Sequence, residues 1–129
     1  MDRHTESRLK KDLVAWLVTA DRDGRPHAVP IWFLWDGRDF LIYSVPGRKV
    51  RDIEANPHVA MHLNSDPEGG DVVRLEGTAK VMAGDAGADK TPAYLRKYRE
   101  QIRSLGMTPR AFAEQYHVAI RLQPARIHE

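Results

Sequence analysis

The sequence predicts an α+β fold in which one antiparallel, barrel-like sheet carries short helices at its ends. Runs of alternating, β-branched or aromatic residues dominate the first two-thirds of the chain, and turn residues bound each run. The strongest turn signal, Asp36-Gly37, joins two such runs as a hairpin. The helical patterns are short insertions between strands, which suits helices segregated to the ends of an antiparallel sheet.

Taken in order, Thr5 to about Lys11 predicts a short helix, with Thr5 or Ser7 as N-cap ahead of Leu9. The apolar run from Leu13 to Ala20 is assigned in its second half to a strand, because the dense turn chemistry of Asp21 to Pro26 follows it. His27 to Trp35 reads as one strand, paired through the Asp36-Gly37 turn with Asp39 to Ser44. Val45-Pro46-Gly47 then breaks the pattern. Arg48 to Asn56 has helical spacing through Val50 and Ile53, and Asn56-Pro57 stops it, since a residue before proline avoids the helical region. His58 to Asn64 alternates as a strand, Ser65 to Gly70 is a loop, and Val72 to Ala83 is a long alternating strand. Ala83 to Asp89 reads as a flexible connector. Thr91-Pro92 opens a helix through Ser104 that Gly106 ends, and Thr108-Pro109 opens a shorter one to Tyr116. His117 to Leu122 closes the sheet. No repeat, low-complexity tract or separating linker is present, so residues 1–129 are expected to form a single domain.

Composition narrows the function. The 129 residues are 42% hydrophobic and 29% charged, and none is cysteine, which excludes a disulfide framework, a thiolate metal site and a cysteine nucleophile. No apolar run approaches the ~20 residues of a membrane span. Residues 1–6 are polar and unlike a signal peptide, so the expectation is a cytoplasmic protein with no membrane role. The net charge of +2 is concentrated in two places. Lys90, Arg96, Lys97, Arg99, Arg103 and Arg110 face one acid, Glu100, and Arg48-Lys49-Val50-Arg51 follows a proline and a glycine. No nucleic-acid motif accompanies either cluster, so nucleic acid is not an expected partner.

The second cluster carries chemistry. A strand ends at Tyr43-Ser44, Pro46-Gly47 turns the chain, and a helix opens with Arg48 and Lys49. Basic residues are disfavoured in a first helical turn, so their presence points to an external anion, most naturally a phosphate, on the free N–H groups. The alternative is a solvated turn. In Val29-Pro30-Ile31-Trp32-Phe33-Leu34-Trp35, strand alternation puts Phe33 and Trp35 on one face and Trp32 with Pro30 on the other. One face can pack the core while the other floors a planar ligand or an interface. His58 and His62 would lie about 13 Å apart on a strand, so no metal site is expected. No nucleophile elbow or carboxylate pair appears, and no catalytic residue is assigned. An enzyme of this kind would take its chemistry from a cofactor.

The succession Asp23-Gly24-Arg25-Pro26-His27, Val29-Pro30-Ile31-Trp32-Phe33, Trp35-Asp36-Gly37, Tyr43-Ser44, Arg48-Lys49, Asp52-Ile53 and Asn56-Pro57-His58-Val59 resembles the split β-barrel flavin and deazaflavin proteins related to pyridoxamine 5'-phosphate oxidase. Arg74-Leu75-Glu76-Gly77-Thr78-Ala79 is similar to the strand after that family's variable loop. Within the family the chain looks most like the branch that uses the deazaflavin coenzyme F420. The resemblance implies an FMN-binding split barrel and a homodimer with cofactor in a groove between subunits. It implies that Ser44, Arg48 and Lys49 hold the cofactor phosphate, with Gly47 beside them in the cofactor site, and that Pro30, Ile31, Trp32 and Phe33 line its rings through backbone and side-chain contacts. Asn64, Leu75, Glu76 and Gly77 would complete the groove. Gly47 stands where many flavin-binding relatives have serine, which puts one phosphate contact in doubt. The residues that grip pyridoxal phosphate in the oxidase have no clear counterpart, which argues against vitamin B6 oxidation. The resemblance thus implies an F420-dependent oxidoreductase passing a hydride to a small organic acceptor. The alternatives are an FMN-binding oxidoreductase and a non-enzymatic flavin or tetrapyrrole carrier. The Lys90–Arg110 segment would meet the polyglutamate tail of F420, or else is simply a solvated helix face.

Overall fold

The computed structural model describes every residue from Met1 to Glu129. Its strands are β1 (Ala15–Ala20), β2 (Pro26–Ile31), β3 (Leu34–Trp35), β4 (Phe40–Ser44), β5 (His58–Leu63), β6 (Arg74–Met82) and β7 (Val118–His128). The helices are α1 (Arg3–Lys11), α2 (Arg48–Ala55), α3 (Pro92–Ser104) and α4 (Pro109–Gln115). All pairs are antiparallel, in the order β2-β1-β5-β6-β7-β4-β3.

Period-two alternation turns every second side chain of a strand inward. Leu17, Ile31, Trp35, Ile42, Met61, Leu75 and Ile120 meet in one buried cluster, so the sheet curls around a shared core, with Leu9 of α1 and Ile53 of α2 closing it. A second cluster lies on the outer face of β4 and β7, where Leu41, Tyr43 and Ala119 meet Tyr94, Tyr98 and Ile102 of α3 and Phe112 of α4. Covering on both faces explains why all five residues of β4 are buried.

Four expectations need correction. The strand expected over His27–Trp35 is two strands: β2 pairs with β1 and β3 with β4, at opposite ends of the sheet order. Trp32-Phe33 crosses between them, and Tyr98 supplies the bonds a ladder would have provided. Its hydroxyl accepts from the Phe33 N–H at 2.8 Å and donates to the Leu13 carbonyl at 2.7 Å. The Lys97 ammonium donates to the Phe33 carbonyl at 2.8 Å. The first helix begins at Arg3 and is capped by Asp2, which accepts from the Thr5 N–H, so neither Thr5 nor Ser7 is its cap. The closing strand runs to His128 instead of Leu122. Its extension pairs with β6 across a register shift in which Glu76 opposes Arg126 and Gly77 opposes Pro124, leaving Ala125 as the bulged residue. Finally, the expected connector Ala83–Asp89 leads into a 3-10 turn, Ala88–Lys90, whose Ala88 is buried in the second cluster.

Candidate functional site

A cleft of about 230 Å³ opens where the ends of β2 and β4 meet α2 and the α3–α4 cover. Pro30, Ile31 and Trp32 form one side, Tyr43, Ser44, Val45 and Lys49 another, and Tyr94, Leu105, Phe112 and Tyr116 come from the cover.

Its apolar wall is a set of stacked rings. Trp32 stacks on Tyr98 at 4.8 Å with 4° between planes and on Phe112 at 5.5 Å with 12°, and Phe112 stacks on Tyr116 at 4.5 Å. Tyr43 meets Tyr94 edge-on at 4.9 Å. Such contacts hold the rings in fixed planes. The Tyr43 hydroxyl lies 2.7 Å from Thr91 Oγ1 and 3.1 Å from Asp85 Oδ1, and burial pushes its pKa up to about 12. Burial also pushes the Tyr94 hydroxyl up, and that hydroxyl has no partner. Neither phenol supplies a proton easily near neutral pH.

The opposite end is polar and positive. Gly47 is the N-cap of α2 and offers no side chain, no acid occupies the first turn, and the first helical N–H bond is that of Arg51 to the Gly47 carbonyl. The N–H groups of Arg48, Lys49 and Val50 therefore lack helical acceptors, and the positive end of the helix dipole is uncompensated. The ammonium of Lys49 is half-buried against the cleft, and burial lowers its pKa. No carboxylate pairs with it. A phosphate or carboxylate here would satisfy the backbone donors and offset the desolvation of Lys49. The residues present therefore fit a planar ring system carrying an anionic group.

The structure brings Pro30, Ile31, Trp32, Ser44 and Lys49 together and sorts the other expected residues elsewhere. The ring of Phe33 is fully buried in the barrel core and cannot line the cleft. Gly47 and Arg48 sit at the start of α2 without lining the cleft. Arg48 turns back to Asp52, with its Nε 3.6 Å from Oδ2. Adjacent helical residues diverge by about 100°, which separates Arg48 from Lys49. Ser44 is buried, and its hydroxyl donates to the Val45 carbonyl at 2.6 Å, leaving oxygen lone pairs as its free function. Asn64, Leu75 and Glu76 border a second groove on β5 and β6, where Asn64 Oδ1 accepts from Trp16 Nε1 at 3.0 Å. Gly77 faces β7 so closely that a Cβ would lie 2.3 Å from the Gln123 carbonyl oxygen, so packing alone requires glycine there. Tyr94, Leu105, Phe112 and Tyr116 were not expected in the site. The i, i+4 spacing of Tyr94 and Tyr98 marks an inward helix face, but nothing local says which strand it covers.

No three acidic or histidine side chains come together as a metal site, and no helix is long and apolar enough to cross a membrane.

A curled antiparallel sheet with a ring-lined cleft beside an open helix N-terminus defines a split β-barrel protein. The chain belongs to the pyridoxamine 5'-phosphate oxidase family, whose model matches residues 1–129. It is 48% identical over 65 residues to a pyridoxine/pyridoxamine 5'-phosphate oxidase from Rubrobacter xylanophilus. That match covers 49% of this chain and only 30% of the relative. Among solved structures, an F420 reductase is 28% identical, with a TM-score of 0.69 over 99% of this chain and 98% of that one. A heme storage protein from Vibrio cholerae matches at 16% identity, with a TM-score of 0.70 over 98% and 92% of the two chains. The second likeness is one of fold alone.

Proposed function

We propose that this protein is an F420-dependent oxidoreductase that moves a hydride between the deazaflavin and a small organic acceptor, working as a homodimer with the cofactor at the subunit interface. The observation that carries the reading is the cleft itself, where an acid-free helix N-terminus with Lys49 lies at one end of a wall of stacked rings. The likeness to an F420 reductase extends over almost the whole chain and supports the same choice. When bound, the reduced deazaflavin supplies the hydride from its C5.

The chain's own part is binding and orientation. Lys49 and the first-turn N–H groups of α2 would hold the phosphate, while Pro30, Ile31 and Trp32 would support the rings. The aromatic cover would keep water from the bound rings. No side chain is assigned as acid or base.

Size supports a second copy. Pockets that enclose a small ligand usually run to roughly 300–1,000 Å³, and this cleft has about 230 Å³. The sheet register places Pro30, Trp16, His62 and Arg74 in one row across β2, β1, β5 and β6, so the cleft and the β5–β6 groove open on the same outer sheet face. A twofold partner on that face would set one copy's cleft against the other's groove, which gives Asn64 and Glu76 a place in the site.

The second reading is a flavin or tetrapyrrole carrier without turnover; a heme storage protein has the same fold. FMN in place of F420 is the alternative within the lead, since both ligands have a tricyclic ring, a ribityl chain and a phosphate. Anaerobic mixing of the protein with reduced F420 and a panel of quinones and activated alkenes decides the matter. Oxidation of the deazaflavin well above the protein-free rate is expected with at least one acceptor. Background rates throughout, with tight binding of heme or FMN, would overturn the reading.

A further inference from the structure

We propose that Asp52 is a positioning residue for the anionic end of the ligand: itself fixed by Thr19, it draws the Arg48 guanidinium by its charge to the mouth of the α2 N-terminus. This inference rests on the cofactor reading above. Asp52 is 4% exposed, and its Oδ2 accepts from Thr19 Oγ1 at 2.8 Å and lies 3.6 Å from Arg48 Nε. Arg48 is the one cation within ion-pair distance of this buried carboxylate. The Arg48 side chain is 44% exposed and within reach of the charge of Asp21, but its two terminal nitrogens stand in no ion pair within the chain.

Helix geometry explains the arrangement. Asp52 stands one turn after Arg48 on the same face, whereas Lys49 faces the cleft. The cations thus flank the unsatisfied N–H groups, one from the cleft and one from outside it. Helix stability does not account for the pair, because a cation in the first turn opposes the dipole and an Arg-to-Asp order along a helix is the weaker direction. A guanidinium drawn towards a fixed carboxylate on one side has fewer orientations to give up when its other edge meets an oxyanion. Thr19 ends the inward face of β1, so the same bond fixes α2 against the sheet.

The test compares ligands with and without a phosphate on wild type, Asp52→Asn, Arg48→Ala and the double variant. The pairs are F420 with its phosphate-free deazaflavin chromophore, and FMN with riboflavin. Asp52→Asn is expected to weaken the phosphate-bearing ligand on the order of tenfold, the scale of a hydrogen bond to a charged group. The phosphate-free ligand should change less than twofold, and Asp52→Asn should add nothing once Arg48 is alanine. Equal losses for both ligands, or a full additional loss in the double variant, would overturn the inference. If Asp52→Asn does not fold, Arg48→Ala decides, and an unchanged phosphate preference in it overturns the inference. Phosphate-dependent binding of FMN alongside failure of F420 would overturn the cofactor choice and leave Asp52 standing. No binding by either pair overturns both.

Discussion

Gly77→Ala is the substitution whose cost follows most directly from geometry. The added Cβ would meet the Gln123 carbonyl oxygen at 2.3 Å and the Gln123 carbon and Pro124 Cα at 3.0 Å, all of them backbone atoms. Relief requires separating β6 from β7 at the bulge, and that pair lies at the centre of the sheet order. Overpacking a well-ordered interior costs about 1–3 kcal/mol and occasionally more, and the backbone contact places this case at about 3. With an unfolding entropy of roughly 2.1 cal/mol/K per residue, a chain of 129 residues loses about 11 °C in Tm. Thermal unfolding followed by circular dichroism measures it. Gly47→Ala is the control, because a Cβ there meets nothing within 4 Å and the backbone is extended, so its Tm should stay within about 2 °C. Equal Tm values for the two variants would refute the argument from close approach.

Tyr98→Phe removes the hydroxyl that serves the Phe33 N–H and the Leu13 carbonyl, and stranded buried groups of this kind cost about 2–3 kcal/mol. Urea unfolding should show a lower midpoint at unchanged slope, and a loss under about 0.5 kcal/mol would contradict the role given to Tyr98. Burial lowers the Lys97 pKa from 10.5 to about 8, so between those values the unfolded chain binds a proton that the folded one does not. Stability should therefore rise with pH from about 8 towards 10. Above that the buried tyrosines reverse the trend, because burial keeps their hydroxyls protonated after unfolded ones ionise. Lys97→Met should remove most of the rise, leaving the contribution of Lys49, whose pKa burial also lowers, and an unchanged slope in that variant would show that another group causes it.

The parts of the fold legible in the sequence are those decided by neighbours in the chain. Helix α4 begins as expected because Thr108 accepts from the Ala111 N–H one turn on, and Pro109 suits the first helical position. Helix α2 ends at Asn56 because Pro57 follows. The break at Trp32-Phe33 was not legible, since the hydroxyl that satisfies it belongs to Tyr98, far along the chain. Pro124 hid the extension of β7, because a proline argues against a strand unless a bulge accepts it, and the bulge depends on Gly77 of another strand. The site divides in the same way. Ser44 and Lys49 follow from a strand, a turn and a helix in succession, whereas Tyr94, Phe112 and Tyr116 enter only through packing of α3 and α4 over β4. The diverging directions of Arg48 and Lys49 also needed the buried Asp52 to be located.

The central claim is that the ring-lined cleft and Lys49 together bind a phosphate-bearing deazaflavin. Titration of the apo-protein with oxidised F420, following the intrinsic tryptophan fluorescence to which Trp32 in the cleft wall contributes, addresses it most directly. The account predicts saturable quenching at micromolar F420 that is tighter than with FMN and weakens at least tenfold in Lys49→Ala. Tighter binding of FMN than of F420, or affinity for F420 that Lys49→Ala leaves unchanged, would contradict it.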